Sequence, residues 1–173
     1  MFELRAASVA DTHAIAASLA GVCRAGDLVV LAGEMGSGKT AFAQGFGRAL
    51  GVVEPMTSPT FTLVHSHAVP ASRGNSKLTL HHADLYRLER TVEVADLALD
   101  ELAEFGGIVL VEWGDVVEGA FDDHAAVHLR FETDDPVGAD FDENVRLIEI
   151  SGVGPTWANR WARLGDLVEA YRC

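Results

Sequence analysis

Two continuous apolar runs dominate the pattern of hydrophobic and polar positions: Leu28-Val29-Val30-Leu31-Ala32 and Ile108-Val109-Leu110-Val111. A strand in a parallel sheet is buried on both faces, so it reads as an unbroken apolar run, not as an alternation. Alternation does appear from Leu78 to Asp84, from His124 to Glu132 and from Asn144 to Ile150. Those stretches predict half-buried strands, the last two as an antiparallel edge or hairpin. Residues 1–7 predict a short edge strand, and Thr62 to His67 is also strand-like. Helical spacing appears over about 9–25, where Ile15, Leu19 and Val22 share a side behind the capping pattern Ser8-Val9-Ala10-Asp11. It recurs from Thr40 to Leu50, with Ala41, Phe42, Phe46, Ala49 and Leu50 near one face and Gly51 as the stop. A short helix is expected around Asp96 to Phe105, broken by Gly106-Gly107. A last helix opens at Gly154-Pro155, with Trp157, Trp161, Leu164, Val168 and Tyr171 on one face, expected to pack on the domain. The polar turn 69–77 and the acidic stretch from Glu132 to Glu143 read as loops.

Bulk properties narrow the class. The chain has 173 residues, 49% of them hydrophobic, enough for one domain with its own core. No uninterrupted apolar span is long enough to cross a membrane. Met1-Phe2-Glu3-Leu4-Arg5 lacks the basic-then-apolar order of a signal peptide. The two cysteines, Cys23 and Cys173, are far apart, which suggests a reducing compartment and no metal site. The expected location is therefore the cytoplasm. The net charge of −13 disfavours direct, sequence-independent nucleic-acid binding, since such a surface repels a phosphate backbone. Lys39 and Lys77 are the only two lysines.

Lys39 belongs to Gly33-Glu34-Met35-Gly36-Ser37-Gly38-Lys39-Thr40, which fits the phosphate-binding pattern G-x-x-x-x-G-K-[ST] without a mismatch. Glycines let the backbone take conformations closed to other residues, so that successive N–H groups face an anion. Lys39 directs a charge toward the β- and γ-phosphates, and the Thr40 hydroxyl is a ligand for Mg²⁺. A buried strand precedes the motif and a helix follows it, so the helix N-terminus also faces the phosphates. The expectation is a nucleoside-triphosphate site built from Gly33, Glu34, Met35, Gly36, Ser37, Gly38, Lys39, Thr40 and Ala41. The expected fold is α/β: a single P-loop NTPase-like domain over 1–173. It has a mostly parallel sheet flanked by helices and antiparallel edge strands near the C-terminus. The motif-bearing core is about 1–135, followed by C-terminal strands and a helix over 136–173.

Further candidates lie at strand ends. Glu112 closes the second apolar run, where a carboxylate can hold Mg²⁺ directly or through water; a surface glutamate at a strand end is the plainer reading. Trp113 either borders the nucleotide or covers the core. In Thr57-Ser58-Pro59-Thr60-Phe61, Pro59 blocks a helix, and the hydroxyls either serve Mg²⁺ and the γ-phosphate or belong to a plain turn. His82 and Asp84 share one side of a strand whose carboxyl end suits a ligand. His81 and His82 point to opposite faces, with no Cys or Glu at ligand spacing, so a zinc site is rejected. Cys23 reads as a small buried hydrophobe.

Four segments together resemble one family. They are the loop at 33–40, Ser58-Pro59-Thr60-Phe61-Thr62-Leu63-Val64, His82-Ala83-Asp84-Leu85-Tyr86-Arg87-Leu88 and Val111-Glu112-Trp113. In this order and spacing they are similar to TsaE (formerly YjeE), a bacterial ATPase family required for threonylcarbamoyladenosine formation in tRNA. The resemblance covers roughly residues 1–135. It implies a P-loop α/β domain that binds ATP and Mg²⁺ and works with TsaB-like and TsaD-like partners, reaching tRNA only through them. It assigns Lys39 to phosphate, Thr40 and Glu112 to Mg²⁺, Thr60 to a switch-like loop and Asp84 to an essential acidic role. Trp113 becomes the aromatic beside the nucleotide. Three departures stand out: Gly114 where the family often has proline, a longer turn over 69–77, and no matching motif in 136–173.

The expected reaction is slow, partner-stimulated ATP hydrolysis, with Lys39, Asp84 and Glu112 as its catalytic set. Asp84 either orients water or supports the metal from its second shell. No motif positions an arginine finger, so a partner is expected to complete the site. A small-molecule or nucleotide kinase is the alternative, with Arg87 and Arg90 a thin basis for a lid. A GTP switch lacks its [NT]-K-x-D signature.

Overall fold

The computed structural model describes residues 1–59, 63–70, 78–86, 97–113, 121–132 and 144–173. Its elements follow in the order β1 (Phe2–Ala6), α1 (Val9–Val22), β2 (Leu28–Ala32), α2 (Lys39–Leu50), β3 (Val64–Val69) and β4 (Leu78–Asp84). Then come α3 (Leu99–Glu104), β5 (Gly107–Glu112), β6 (His124–Phe131), β7 (Arg146–Val153) and α4 (Pro155–Val168), with a 3-10 turn at Glu169–Tyr171. All seven strands join one sheet in the order β1-β7-β6-β2-β5-β4-β3. The central β6, β2, β5 and β4 run parallel, while β7 and β1 on one side and β3 on the other are antiparallel additions.

The two apolar runs occupy the middle of this sheet for a physical reason. Val29 and Leu31 of β2 enter one hydrophobic cluster, and Leu28 and Val30 enter the cluster on the opposite face. Every position of the run is thereby buried. The larger cluster lies under α1, α2 and α4, with Ile15, Leu19, Phe42, Phe46, Trp157 and Leu164 among its members. Burial of each such side chain stabilises the fold by about 2 kcal/mol. The smaller cluster lies under α3, through Leu99 and Ala103, together with Phe121. Gly45 lets α1 and α2 approach closely, because a Cβ there would stand 2.6 Å from the His13 Cα. Cys23 is buried, as a small hydrophobe should be.

Several boundaries shift from the sequence expectation. Helix α1 stops at Val22, three residues short of the expected end, because Cys23 turns extended and the Asp27 carboxylate accepts a bond from the Arg24 N–H. Strand β3 begins at Val64, since Leu63 is in the left-handed region (φ 62). Gly107, expected to break a helix, is the first residue of β5. Strands β6 and β7 form the expected antiparallel pair, and β6 also runs parallel to β2 on its other side. The outermost strand there is β1, as the N-terminal pattern suggested, and its free side receives the Cys173 N–H at Glu3 O and a bridge from Leu4 to Arg172. No helix among the described residues is long and apolar enough to cross a membrane.

Because the four central strands are parallel, their carboxyl ends share one rim of the sheet. That rim is where a parallel sheet accepts ligands. The motif loop lies on it, between the end of β2 and the start of α2.

Candidate functional site

The loop is shaped by what stands behind it. Gly33 has φ 138, and a Cβ at that position would meet the Leu129 carbonyl oxygen at 2.2 Å and Ser37 Oγ at 2.7 Å. Only glycine lets the chain leave β2 this close to β6. Gly38, in the left-handed conformation, precedes α2, and its carbonyl accepts the first helical bond from the Phe42 N–H. The Lys39 ammonium donates to Gly33 O (2.7 Å) and Glu34 O (2.8 Å) and lies 3.6 Å from the centroid of the Trp113 ring. The loop therefore holds its cation by its own carbonyls, under an aromatic cover.

Three further side chains form a chain of contacts from this loop into the sheet. Thr40 Oγ1 donates to Glu112 Oε2 at 3.0 Å, and the other oxygen of Glu112 lies 2.8 Å from His82 Nε2. Glu112 and His82 are both buried, and His82 Nδ1 has no hydrogen-bond partner among the described residues. Asp84 pairs in register with Glu112 on the neighbouring strand. Its carboxylate accepts from the Tyr86 N–H at 3.0 Å and from the Ser58 hydroxyl. A cavity of about 280 Å³ opens beside these groups, lined by Met35, Gly36, Gly38, Lys39, Thr40, Ala41, Ser58, Glu112 and Trp113.

The expected residues thus divide. Met35, Gly36, Gly38, Lys39, Thr40, Ala41, Glu112 and Trp113 line the cavity, whereas Gly33, Glu34 and Ser37 shape the loop from outside it. Asp84 is buried behind Ser58, so the hydroxyl stands between its carboxylate and the cavity. Trp113 both lines the cavity and packs against the smaller core cluster. Thr60 lies outside the described residues, as do Gly114, Arg87, Arg90 and most of the 69–77 turn.

Three residues escaped assignment from the sequence. His82 stands at its strand end in the sequence, but its hold on Glu112 needs the pairing of β4 with β5. Ser58 sat in a hydroxyl-rich segment that gave no reason to prefer it. Arg146 had no signal at all: its Nε donates to Ser37 O (2.9 Å) and its Nη2 to Gly36 O (3.1 Å) across more than a hundred residues of chain.

Chemically, the arrangement offers an anion a helix N-terminus and a lysine. It offers a hard cation two adjacent oxygen donors, from Thr40 and Glu112. That donor set suits Mg²⁺, which keeps several waters and takes only one or two protein ligands beside phosphate oxygens. No group of three or more His, Cys, Asp or Glu among the described residues is arranged to hold a metal by itself.

Comparison with known proteins is consistent with this geometry. The family model "Threonylcarbamoyl adenosine biosynthesis protein TsaE" matches residues 6–139. A tRNA threonylcarbamoyladenosine biosynthesis protein TsaE from Streptomyces coelicolor is 41% identical over 141 residues, which cover 81% of this chain and 89% of that protein. The protein of the same name from Bacillus subtilis is 39% identical over 108 residues, 62% of this chain and 63% of the other. A crystal structure of Bacillus subtilis YdiB superposes with a TM-score of 0.67 at 27% identity, covering 97% of this chain and 93% of that one.

Proposed function

The chain belongs to the TsaE family, and from that premise we propose that it is the ATP-binding, slowly ATP-hydrolysing component of threonylcarbamoyladenosine formation in tRNA. It works as one domain over residues 1–173 with TsaB-like and TsaD-like partners, and hydrolysis serves the turnover of that assembly. The observation that carries the reading is the convergence of Lys39, Thr40 and Glu112 on one cavity at the carboxyl rim of the parallel strands. Lys39 meets the β- and γ-phosphates, and the motif loop and the start of α2 surround them with N–H donors.

Thr40 and Glu112 hold Mg²⁺, which neutralises phosphate charge when bound. His82 fixes the rotation of the Glu112 carboxylate and so keeps its other oxygen turned toward Thr40. Asp84 orients Ser58, which lines the cavity, and through it would help position the attacking water. Thr60 belongs, in sequence, to the same switch-like segment as Ser58. Trp113 covers the phosphate lysine. Among the described residues no arginine lines the cavity, so the transition-state charge is left for a partner to meet and turnover by the isolated chain is slow. The net charge of −13 keeps tRNA contact with the partners.

The test is ATP hydrolysis by the purified chain, alone and with its TsaB-like and TsaD-like counterparts, with Glu112→Ala as control. We expect low activity that rises with the partners and falls at least a hundredfold in the variant, in line with loss of about 3 kcal/mol of transition-state stabilisation. Phosphate transferred to a small acceptor in place of water would replace this reading with a kinase.

A further inference from the structure

We propose that Arg146 is a positioning residue of the phosphate site, holding the Gly36 and Ser37 carbonyls turned away from the bound anion; the inference rests on the ATP-binding reading above. A phosphate cradle made of backbone works only if its N–H groups, and not its carbonyls, face the anion. Loop carbonyls bound on the far side are kept from turning toward the anion. Gly33 O and Glu34 O are taken by Lys39, and Gly38 O by the Phe42 N–H of α2. Gly36 O and Ser37 O lie between those anchors, at the turn where the loop reverses. Both are bound by one guanidinium: Arg146 Nη2 to Gly36 O at 3.1 Å and Nε to Ser37 O at 2.9 Å.

The consequence follows from the planar trans peptide, in which N–H and C=O point in opposite directions. Holding Ser37 O toward Arg146 directs the Gly38 N–H away from it, and Gly38 lines the cavity. Holding Gly36 O directs the Ser37 N–H toward Glu34 O, which it meets at 3.2 Å and so closes the turn. A lysine ammonium is a point donor, whereas the guanidinium fork presents two donors in one plane to two successive carbonyls.

Arg146 is itself held firmly enough to do this. It opens β7 between two partners, paired with Ala6 of β1 and with Phe131 of β6. Its guanidinium carbon lies 4.2 Å from the centre of the Phe131 ring, and its Nη1 donates to Val145 O at 2.8 Å. Gly36 approaches the same ring, since a Cβ there would stand 3.8 Å from Phe131 Cζ. The ends of β6 and β7 are thus the back wall of the loop. The C-terminal part of the chain, which carries no motif, contributes to the phosphate site.

The experiment compares the full chain with Arg146→Met and Arg146→Lys by calorimetric titration of Mg-ATP and of inorganic tripolyphosphate, which removes the base from the measurement. Hydrogen exchange of the ligand-free proteins is followed at Ser37 and Gly38. Arg146→Met is expected to weaken both ligands by on the order of tenfold, the size of one lost charge-assisted hydrogen bond. Arg146→Lys falls between it and the wild type. Exchange at Ser37 rises in both variants, while β2 and the interior of α2 keep their protection, which a general loss of stability would not spare. Binding by Arg146→Met within twofold of wild type, or unchanged exchange at Ser37, overturns the proposal. Should Arg146→Met fail to fold, Arg146→Lys is judged by the same two criteria. If the wild type binds neither ligand, the ATP reading fails, and the exchange comparison alone still decides whether Arg146 holds the loop.

Discussion

Lys39 is buried, and its charge meets the carbonyl dipoles of Gly33 and Glu34 and the π face of Trp113. This arrangement depends on the backbone of Trp113, which has φ 63 at the end of β5. A left-handed residue with a large side chain costs about 1–2 kcal/mol. The return is a turn that lays the indole over the cavity and against Tyr86, with ring centroids 4.9 Å apart. An ammonium 3.6 Å from an indole perturbs its emission, and a phosphate bound at Lys39 would draw that ammonium away. Mg-ATP is therefore expected to change the tryptophan fluorescence of the wild type and of Trp161→Phe equally, and to leave Trp113→Phe silent. A full response in Trp113→Phe would place the reporter in α4 and the nucleotide away from Trp113.

Helix α4 is fastened to the segment between α1 and β2 by a buried ion pair. Arg160 donates through both terminal nitrogens to the Asp27 carboxylate, reaches Val22 O at 3.2 Å and stacks 4.1 Å from the Trp157 ring centre. Burial alone would lower the Arg160 pKa, and the hydrogen bonds and charge of Asp27 outweigh it, so the guanidinium is held protonated. Arg160→Met is expected to lower the unfolding free energy by about 3–5 kcal/mol in urea denaturation, because Asp27 is left buried without its partner. Adding Asp27→Asn should recover part of that loss; a strictly additive double variant would show that the two side chains do not act as a pair. This contact also marks where sequence reading stops. The apolar stripe of α4 predicted its packing, but nothing in Arg160 pointed to an aspartate 133 positions earlier. In the same way β2 and β5 were legible because burial on both faces leaves an unbroken apolar run. Strand β6 alternates like an edge strand, and only its pairing with β2 shows it to be internal. The motif loop was legible since its glycines, lysine and threonine are contiguous. Its support by Arg146 and the orientation of Glu112 by His82 arise from strand register, which no local pattern encodes.

Across the whole molecule the 26 acidic residues far exceed the 13 basic ones, yet the first response to acid should come from histidine. His13, on α1, has its pKa lowered from 6.5 by burial and by the nearby Arg48 charge on α2. His81, on β4, is lowered from 6.5 by burial, with its Nδ1 2.8 Å from Ser66 Oγ. Both shifts have the same sign: the native state favours the neutral ring, while the unfolded chain binds the proton more readily. Their contribution to stability is therefore complete above the unfolded value of 6.5 and is lost as pH falls through the lower folded values. Asp100 acts oppositely. Burial and the charges of Glu104 and Asp122 raise its pKa above 3.8, so its contribution is full below that value and is lost as pH rises. Carboxyl groups ordinarily titrate near pH ~4 and imidazole near ~6.5, so the interval between roughly 7 and 5.5 reads imidazole protonation. Urea unfolding across that interval should give a free energy that declines on acidification, with a slope that flattens in His13→Gln/His81→Gln. A wild-type free energy that holds level or rises over the same interval would mean that relief of acidic self-repulsion, and not histidine protonation, governs the acid response of this fold.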